Sequence, residues 1–435
     1  MFRPNDIIGK FVVGGGLGLA LAVSISASQV HAAVVLSVLH SFTGGSDGAE
    51  PEAGLFMDES GNLYGTTNLG GGADCVGDGC GTAFKIDVHE STFHAFQGGQ
   101  TDGSFPAGDL VPDNLGNLYG TTQQGGGVGC NGYGCGTVFK LSPNGSVTLL
   151  HSFDGPDDGA GPLTGLVADA AGDLFGTTNS GGKTGSGCLG EGCGTVFELA
   201  ADGTLKVLHF FAGGNDGGRP QGNLILDAAG NLYGTTSAGG AKGRGTIFEL
   251  SPDGTETLLH VFQGGSQDGA FPYSNLIFDS AGNLYGTTSG GGRTCYKNEG
   301  CGTVFELSPP AIAGAVWQEK VLHFFTNARS TAKADGYYPF AGLVADGAGN
   351  LYGVTAQGGA PSGSSGCACG TIFKLAPDGT ETVLHNFQGV NYGDGQFPTG
   401  TLILSRGNLY GTTQIGGSEC AEGSCGVVFK LSLAN

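Results

Sequence analysis

Asn117-Leu118-Tyr119-Gly120-Thr121-Thr122 and, downstream, Gly136-Thr137-Val138-Phe139-Lys140-Leu141 are the stretches whose reading decides the fold. They belong to a set of four short apolar runs: Gly108–Pro112, Asn117–Thr122, Gly136–Leu141 and Ser146–Phe153. Runs this short, bounded by Gly, Asn, Asp and Pro, are strands. The turns between them carry their own chemistry. One is Asp-x-x-Gly-Asn, as at Asp227, Gly230 and Asn231, and another is Pro-Asp-Gly, as at Pro252, Asp253 and Gly254. Gly, Asn and Asp accept the positive φ of tight hairpins where other residues resist it.

The Leu-Tyr-Gly-Thr-Thr step recurs seven times. It starts at Leu63, Leu118, Leu174 (with Phe175 for Tyr), Leu232, Leu284, Leu351 (with Val354 for Thr) and Leu409, at spacings of 55, 56, 58, 52, 67 and 58 residues. Four strands per period make one propeller blade, so seven periods predict an all-β, seven-bladed propeller over residues 33–435. The ends support closure. The last repeat stops after its third strand, Val427–Leu431, and Val38-Leu39-His40-Ser41-Phe42 is an orphan fourth strand. Pairing the two completes the seventh blade and removes two sheet edges. Glycine, at 89 of 435 residues, reads as turn and close-packing residues of this repeat, and 13% charged residues are too few for exposed amphipathic helices.

The motifs Gly-Asn-Leu-Tyr-Gly-Thr-Thr, Gly-Thr-Val-Phe-Lys-Leu and Leu-His-Ser-Phe resemble the GloVer tandem repeat, named for Gloeobacter and Verrucomicrobia. The likeness covers essentially all of residues 35–431. It implies an exported β-propeller without an established activity, often carried on a C-terminal anchor. This sequence ends Ser432-Leu433-Ala434-Asn435 without such an anchor, which puts surface attachment in doubt. The Gly-Asn-Leu-Tyr step is also similar to other propeller repeats, including streptogramin lyase, but only over a short stretch.

Arg3 and Lys10 precede an apolar run from Phe11 to Val23, and small residues lead to Val30-His31-Ala32. That is the pattern of a signal peptide, expected to be cleaved near Ala32. The run is short for a membrane span of about 20 residues. Without residues 1–32 the chain keeps 15 Lys and Arg against 37 Asp and Glu, a net charge of −22. So acidic a surface repels nucleic acid and anionic lipid. A secreted or periplasmic monomer is expected, with no membrane span after cleavage.

Seven histidines occupy the fourth strands: His40, His94, His151, His209, His260, His323 and His385. A single such His would be a candidate general base or metal ligand. Seven around a ring cannot share one site, so they read as hydrogen-bonded packing residues between blades. Asp-Gly-x-x-Pro leads into every blade, from Asp47, Asp102, Asp158, Asp216, Asp268, Asp335 and Asp394. The carboxylate caps its turn and the proline sets φ where the chain enters the blade. One Asp per blade does not converge the several oxygens a hard cation needs.

Twelve cysteines fall as six close pairs between second and third strands: Cys75/Cys80, Cys130/Cys135, Cys188/Cys193, Cys295/Cys301, Cys367/Cys369 and Cys420/Cys425. Blade 4 lacks a pair and has the shortest such loop, Ser237 to Arg244. An even count in an exported chain predicts disulfides that staple the long loops. Cys367 and Cys369, one residue apart, are the uncertain pair, since so small a ring is strained. Zinc is the competing reading, but thiolates spread around a ring do not meet in fours. No catalytic set stands out in a nonrepeated position, and no cofactor or metal is expected.

The connector and second-to-third-strand loops share one face. Eight bases lie in them, all in blades 3–6: Lys183, Arg219, Lys242, Arg244, Arg293, Lys297, Arg329 and Lys333. Phe105, Phe271, Tyr338 and Phe397 precede connector prolines, and Tyr296 and Tyr337 lie near. The ligand-binding candidates are therefore Lys183, Arg219, Lys242, Arg244, Arg293, Tyr296, Lys297 and Tyr338. A basic sector on an acidic protein attracts an anionic partner, and aromatic rings stack on sugars or fill a peptide pocket. Scattered surface charge and inter-blade packing are the plainer alternatives. The insertion Pro309 to Lys320 in blade 5, carrying Trp317, lies on the opposite face, a second contact point or a tolerated insertion. The expected role is a noncatalytic binding or display module for an anionic glycan, envelope polymer or protein. The alternative is a propeller enzyme, a lyase or hydrolase acting on polysaccharide or cyclic peptide. That would need a nonrepeated acid/base pair near the central channel.

Overall fold

Seven small antiparallel sheets form the predicted ring. The computed structural model describes residues 34–433, except 73–74, 76, 184–187, 189–191, 294, 296–299, 313, 327–334, 360–367, 391–392 and 418–424. The expected signal peptide, Tyr296, Lys297, Arg329, Lys333, Cys367 and Cys420 lie outside the described residues. In blade 2 the strands are Val111–Pro112, Leu118–Gly125, Thr137–Leu141 and Val147–Ser152. The innermost strand is shorter than the sequence implied, only two residues in most blades, because its earlier residues line the channel instead of pairing. Blade 7 closes as expected: Val35–Ser41 pairs antiparallel with Val427–Ser432.

Each constant residue of the repeat has a task. Asp113 accepts bonds from the Asn117 backbone (2.9 Å), the Asn117 side chain (2.6 Å) and the Tyr119 hydroxyl (3.1 Å), which locks the first hairpin. Asp58, Asp227, Asp279 and Asp346 repeat this. The last Thr of Leu-Tyr-Gly-Thr-Thr meets the Thr of the third strand, as in Thr122–Thr137 and Thr288–Thr303, both 2.8 Å. These are buried hydroxyls, and pairing satisfies them. The glycine of the step lies under the third-strand Phe: a Cβ at Gly120 would stand 2.6 Å from Phe139 Cζ.

Blades dock through aromatic pairs. The fourth-strand Phe of one blade meets the third-strand Phe of the next, edge to face, at 5.1–5.5 Å in all seven interfaces, from Phe42–Phe84 round to Phe387–Phe429. All of these rings are buried, and such pairs add about 0.5–1.5 kcal/mol beyond the area they bury. The connectors supply the second contact. The residue before each proline donates its N–H to the carbonyl two residues ahead of the previous blade's third strand, at 2.7–3.1 Å, as in Phe105 to Cys80 and Phe271 to Arg244. To do so Glu50, Phe105, Arg219, Phe271, Tyr338 and Phe397 adopt φ of 56–59°, and Gly161 takes the place in blade 3. Left-handed backbone at a side-chain-bearing residue is strained by about 1–2 kcal/mol, and the interface holds it there.

Candidate functional site

The seven histidines and seven aspartates, read separately in the sequence, are partners. Each fourth-strand His points Nε2 at the Asp of the connector that follows it. The distances are 3.4 Å at His40–Asp47, 3.2 Å at His94–Asp102, 2.7 Å at His151–Asp158 and 3.4 Å at His209–Asp216. They are 3.5 Å at His260–Asp268, 2.9 Å at His323–Asp335 and 3.0 Å at His385–Asp394. A bulge in the fourth strand, between Leu149 and His151 in blade 2, re-aims the imidazole. The ring also meets the Phe two residues on, at 4.6–5.0 Å in every blade. The aspartates cap as expected: Asp102 accepts from Gln97 N–H and Gly103 N–H.

Of the cysteine pairs, Cys75–Cys80, Cys130–Cys135, Cys188–Cys193 and Cys295–Cys301 are disulfides. Cys425 and Cys369 are disulfide-bonded as well.

What breaks the sevenfold pattern is the mouth of the channel on the connector face. The residue after each connector proline is Glu52, Ala107, Leu163, Gln221, Tyr273, Phe340 or Thr399. Two positions further on stand Gly54, Asp109, Gly165, Asn223, Asn275, Gly342 and Thr401. All but Gly165 line a cavity of about 400 Å³, within the range of small-ligand sites. Its inner ring is tied across all seven blades. Asp109 accepts from Gly54 N–H (2.6 Å) and the Asn223 amide (2.7 Å). Asn223 Oδ1 accepts from Gly165 N–H, and Asn275 Oδ1 from Asn223 N–H, both at 2.7 Å. Thr401 Oγ1 accepts from Gly342 N–H at 3.1 Å and the Asn275 amide at 3.4 Å. Burial pushes the Asp109 carboxyl above the usual range despite these donors.

The outer ring has two characters. Tyr273 and Phe340 meet edge to face at 5.4 Å, with Tyr338 at 6.1 Å from Phe340. Elsewhere on the ring Glu52 accepts from Gln414 Nε2 at 2.6 Å. Burial, then the neighbouring Glu50, pushes Glu52 up to about 7. Sequence reading missed Glu52, Asp109, Gln221, Asn223, Tyr273, Asn275, Phe340 and Thr401. The available signal was position-by-position variation beside an invariant proline.

The described basic candidates, Lys183, Arg219, Lys242, Arg244 and Arg293, belong to blades 3–5 and do not line the cavity. Lys183, Arg219, Lys242 and Arg293 are exposed. Lys183 lies over Phe210 at 4.6 Å and Arg244 over Phe271 at 4.9 Å, so both also serve blade packing. Tyr338 is half-buried against Tyr337, and Tyr337 itself is buried at 3% exposure and offers no stacking surface. Trp317 packs against the core between blades 4 and 5. Among the described residues no helix is long and apolar enough to cross a membrane.

A family model described as the Gloeobacter/Verrucomicrobia repeat matches residues 24–192, 190–366 and 313–435. No curated protein matches the sequence. Among solved structures, the chain is similar to a fungal alcohol oxidase of the AA5 family, determined with copper. The identity is 15% over 92% of this chain and 77% of that one, with a TM-score of 0.54. It is also similar to the extracellular domain assigned to a one-component system of B. thetaiotaomicron, at 11% identity over 90% of this chain, with a TM-score of 0.53. The chain spans 39% of the length of that second protein. Identities this low bear on the fold alone.

Proposed function

The chain belongs to the Gloeobacter/Verrucomicrobia repeat family, and from that premise we propose an exported, noncatalytic propeller that binds a glycan or envelope polymer at the channel mouth. Four loop disulfides, with Cys369 and Cys425 bonded as well, favour an oxidising compartment, and residues 1–32 read as the leader that delivers the chain there. The single observation carrying the binding role is the break in symmetry. The aromatic pairs, His–Asp pairs and connector bonds between blades repeat, while the residues facing the 400 Å³ cavity differ from blade to blade. A sugar ring has an apolar face and a hydroxylated edge. Tyr273 and Phe340 suit the face, and Gln221, Thr399 and Glu52 suit the edge. Lys183, Arg219, Lys242, Arg244 and Arg293 around the rim would attract acidic substituents.

Retention of the purified protein on immobilised neutral and anionic polysaccharides, at two salt concentrations, tests this. Tyr273→Ala with Phe340→Ala should weaken retention at least tenfold. Lys242→Glu with Arg293→Glu should remove its salt-sensitive part. Retention unchanged by both pairs rejects the site.

The enzyme reading keeps one supporting observation. Glu52 is nonrepeated, lines the cavity and has a proton affinity suited to acid/base chemistry at neutral pH. If a retained polysaccharide is shortened over time, Glu52→Gln should stop the shortening and leave retention intact.

A further inference from the structure

We propose that two blade interfaces, between blades 3 and 4 and between blades 4 and 5, are binding sites for a divalent transition-metal ion of the zinc class. The ligands are His209, Asp216 and Glu256 in the first, and His260, Asp268 and Glu319 in the second.

The His–Asp pair occurs at every interface, so by itself it is a structural clasp. The difference lies near the start of the next blade's fourth strand. That register position, opposite the last Leu or Ile of the third strand, holds Glu90, Val147, Leu205, Glu256, Glu319, Glu381 and Leu36. Where it is apolar, the His–Asp pair closes to 2.7–3.2 Å. Where Glu256 or Glu319 enters, the pair opens to 3.4–3.5 Å. One ligand atom from each of the three side chains then lies within 4.8 Å of the others.

The donor atoms are poorly satisfied. His209 Nε2, Glu256 Oε1, His260 Nε2 and Glu319 Oε1 are buried and make no well-formed hydrogen bond, a state that Glu381 Oε1 shares, and the two imidazoles only approach their aspartates, at 3.4–3.5 Å. Buried polar atoms without partners are rare in folded proteins and call for an explanation. Two carboxylates brought together beside an imidazole need a shared positive charge. Glu256 is pushed up to about 9 by burial and by Asp216, and Glu319 to about 7 by burial and Asp268. A proton supplies that charge in the empty site, and a dication supplies it better. One nitrogen and two carboxylate oxygens suit zinc and its neighbours more than calcium or magnesium. Donors around such an ion stand about 3–3.5 Å apart, given bonds of about 2.1 Å, so modest side-chain rotation closes the set. Part-exposed side chains, such as His209 at 18%, leave room for water to complete the coordination.

Two other interfaces carry the glutamate, and at the Glu90 one His40–Asp47 is also open at 3.4 Å, but among the described residues only the two proposed sites bring all three ligand atoms within 4.8 Å of one another. Glu90 contacts Thr92 Oγ1 at 3.5 Å. At the blade 5/6 interface His323 closes on Asp335 at 2.9 Å, although Glu381 is present. The sequence argument against cations counted one Asp per blade and missed the His and Glu that join it.

The purified, disulfide-intact protein is titrated with Zn²⁺ by calorimetry, and with Co²⁺ by visible absorption, after dialysis against chelator. Two ions per chain are expected, with Co²⁺ bands showing an ordered low-coordinate site. Glu256→Gln and Glu319→Gln should each remove one ion and the double variant both, while Glu381→Gln keeps both. Far-UV dichroism and melting of the ion-free variants, matching the ion-free parent or above it, show that loss is not unfolding. No saturable binding, or binding that survives the double substitution, overturns the proposal, whatever the channel mouth binds.

Discussion

At Gly234 a methyl group would arrive 2.6 Å from Phe248 Cζ and 2.8 Å from Leu224 Cδ2. Neither ring nor leucine can retreat, because Phe248 is itself pressed by Phe211 from the previous blade. Gly234→Ala should therefore cost about 1–3 kcal/mol through overpacking, read by urea denaturation. Gly347→Ala is the control, since nothing lies within 4 Å of the new atom and the backbone there is ordinary, and its stability should change by under about 0.5 kcal/mol. Residues such as Gly234 and Phe248 were legible in the sequence because each one repeats. The mouth residues were not. Asp109 and Glu52 sit among small residues after a proline, and what marks them is unlikeness to their counterparts, a signal that motif reading discards. His94 and Asp102 were both noticed, yet their bond was not. Strand and connector belong to different stretches of sequence, and only the bulge turns one toward the other.

Between residue and ring lie the loops and interfaces. The four described disulfides span five or six positions, and the chain-entropy model assigns each about 2 kcal/mol. Blade 4 has no pair and still forms its full sheet, Ile225–Leu226 through Glu256–Val261. Reduction should therefore lower the melting temperature and leave far-UV dichroism at 25 °C unchanged. Loss of the β signal on reduction alone would show that the staples hold the blades as well as the loops. The interface carboxylates predict a pH dependence. Glu256 holds its proton more tightly when folded, at about 9 against 4.5 for a free glutamate. The folded state thus gains protons relative to the unfolded one between those values. In ion-free protein, stability should fall as pH rises from 5 toward 9, and Glu256→Gln should flatten the curve. A parent and variant with parallel profiles would deny Glu256 that role. None of this was visible beforehand, because Glu256 opens an ordinary strand and its neighbours come from blade 3.

For the whole molecule, strand number, blade count and closure were all legible, since turn chemistry punctuates every period and the two ends carry complementary parts of one blade. Closure has a measurable worth. Val35–Ser41 covers the edge of Val427–Ser432, and Phe42 supplies a ring to the blade 1 core. A chain beginning at Thr43 should expose that edge and associate, eluting as dimers or larger species. A peptide of residues 34–42 should restore the elution of the intact chain. A truncated chain that stays monomeric without peptide would mean that the edge is protected otherwise.

The latch also sets a clock. Its strand is made among the first and its mate among the last, with nearly 400 residues between Val35 and Ser432. During synthesis no chain that lacks this mate can shut, however well its early blades have formed. An incomplete chain remains an open fan with a raw border, and proteases find such borders readily. Only a chain that has reached the strand Val427–Ser432 can close the circle.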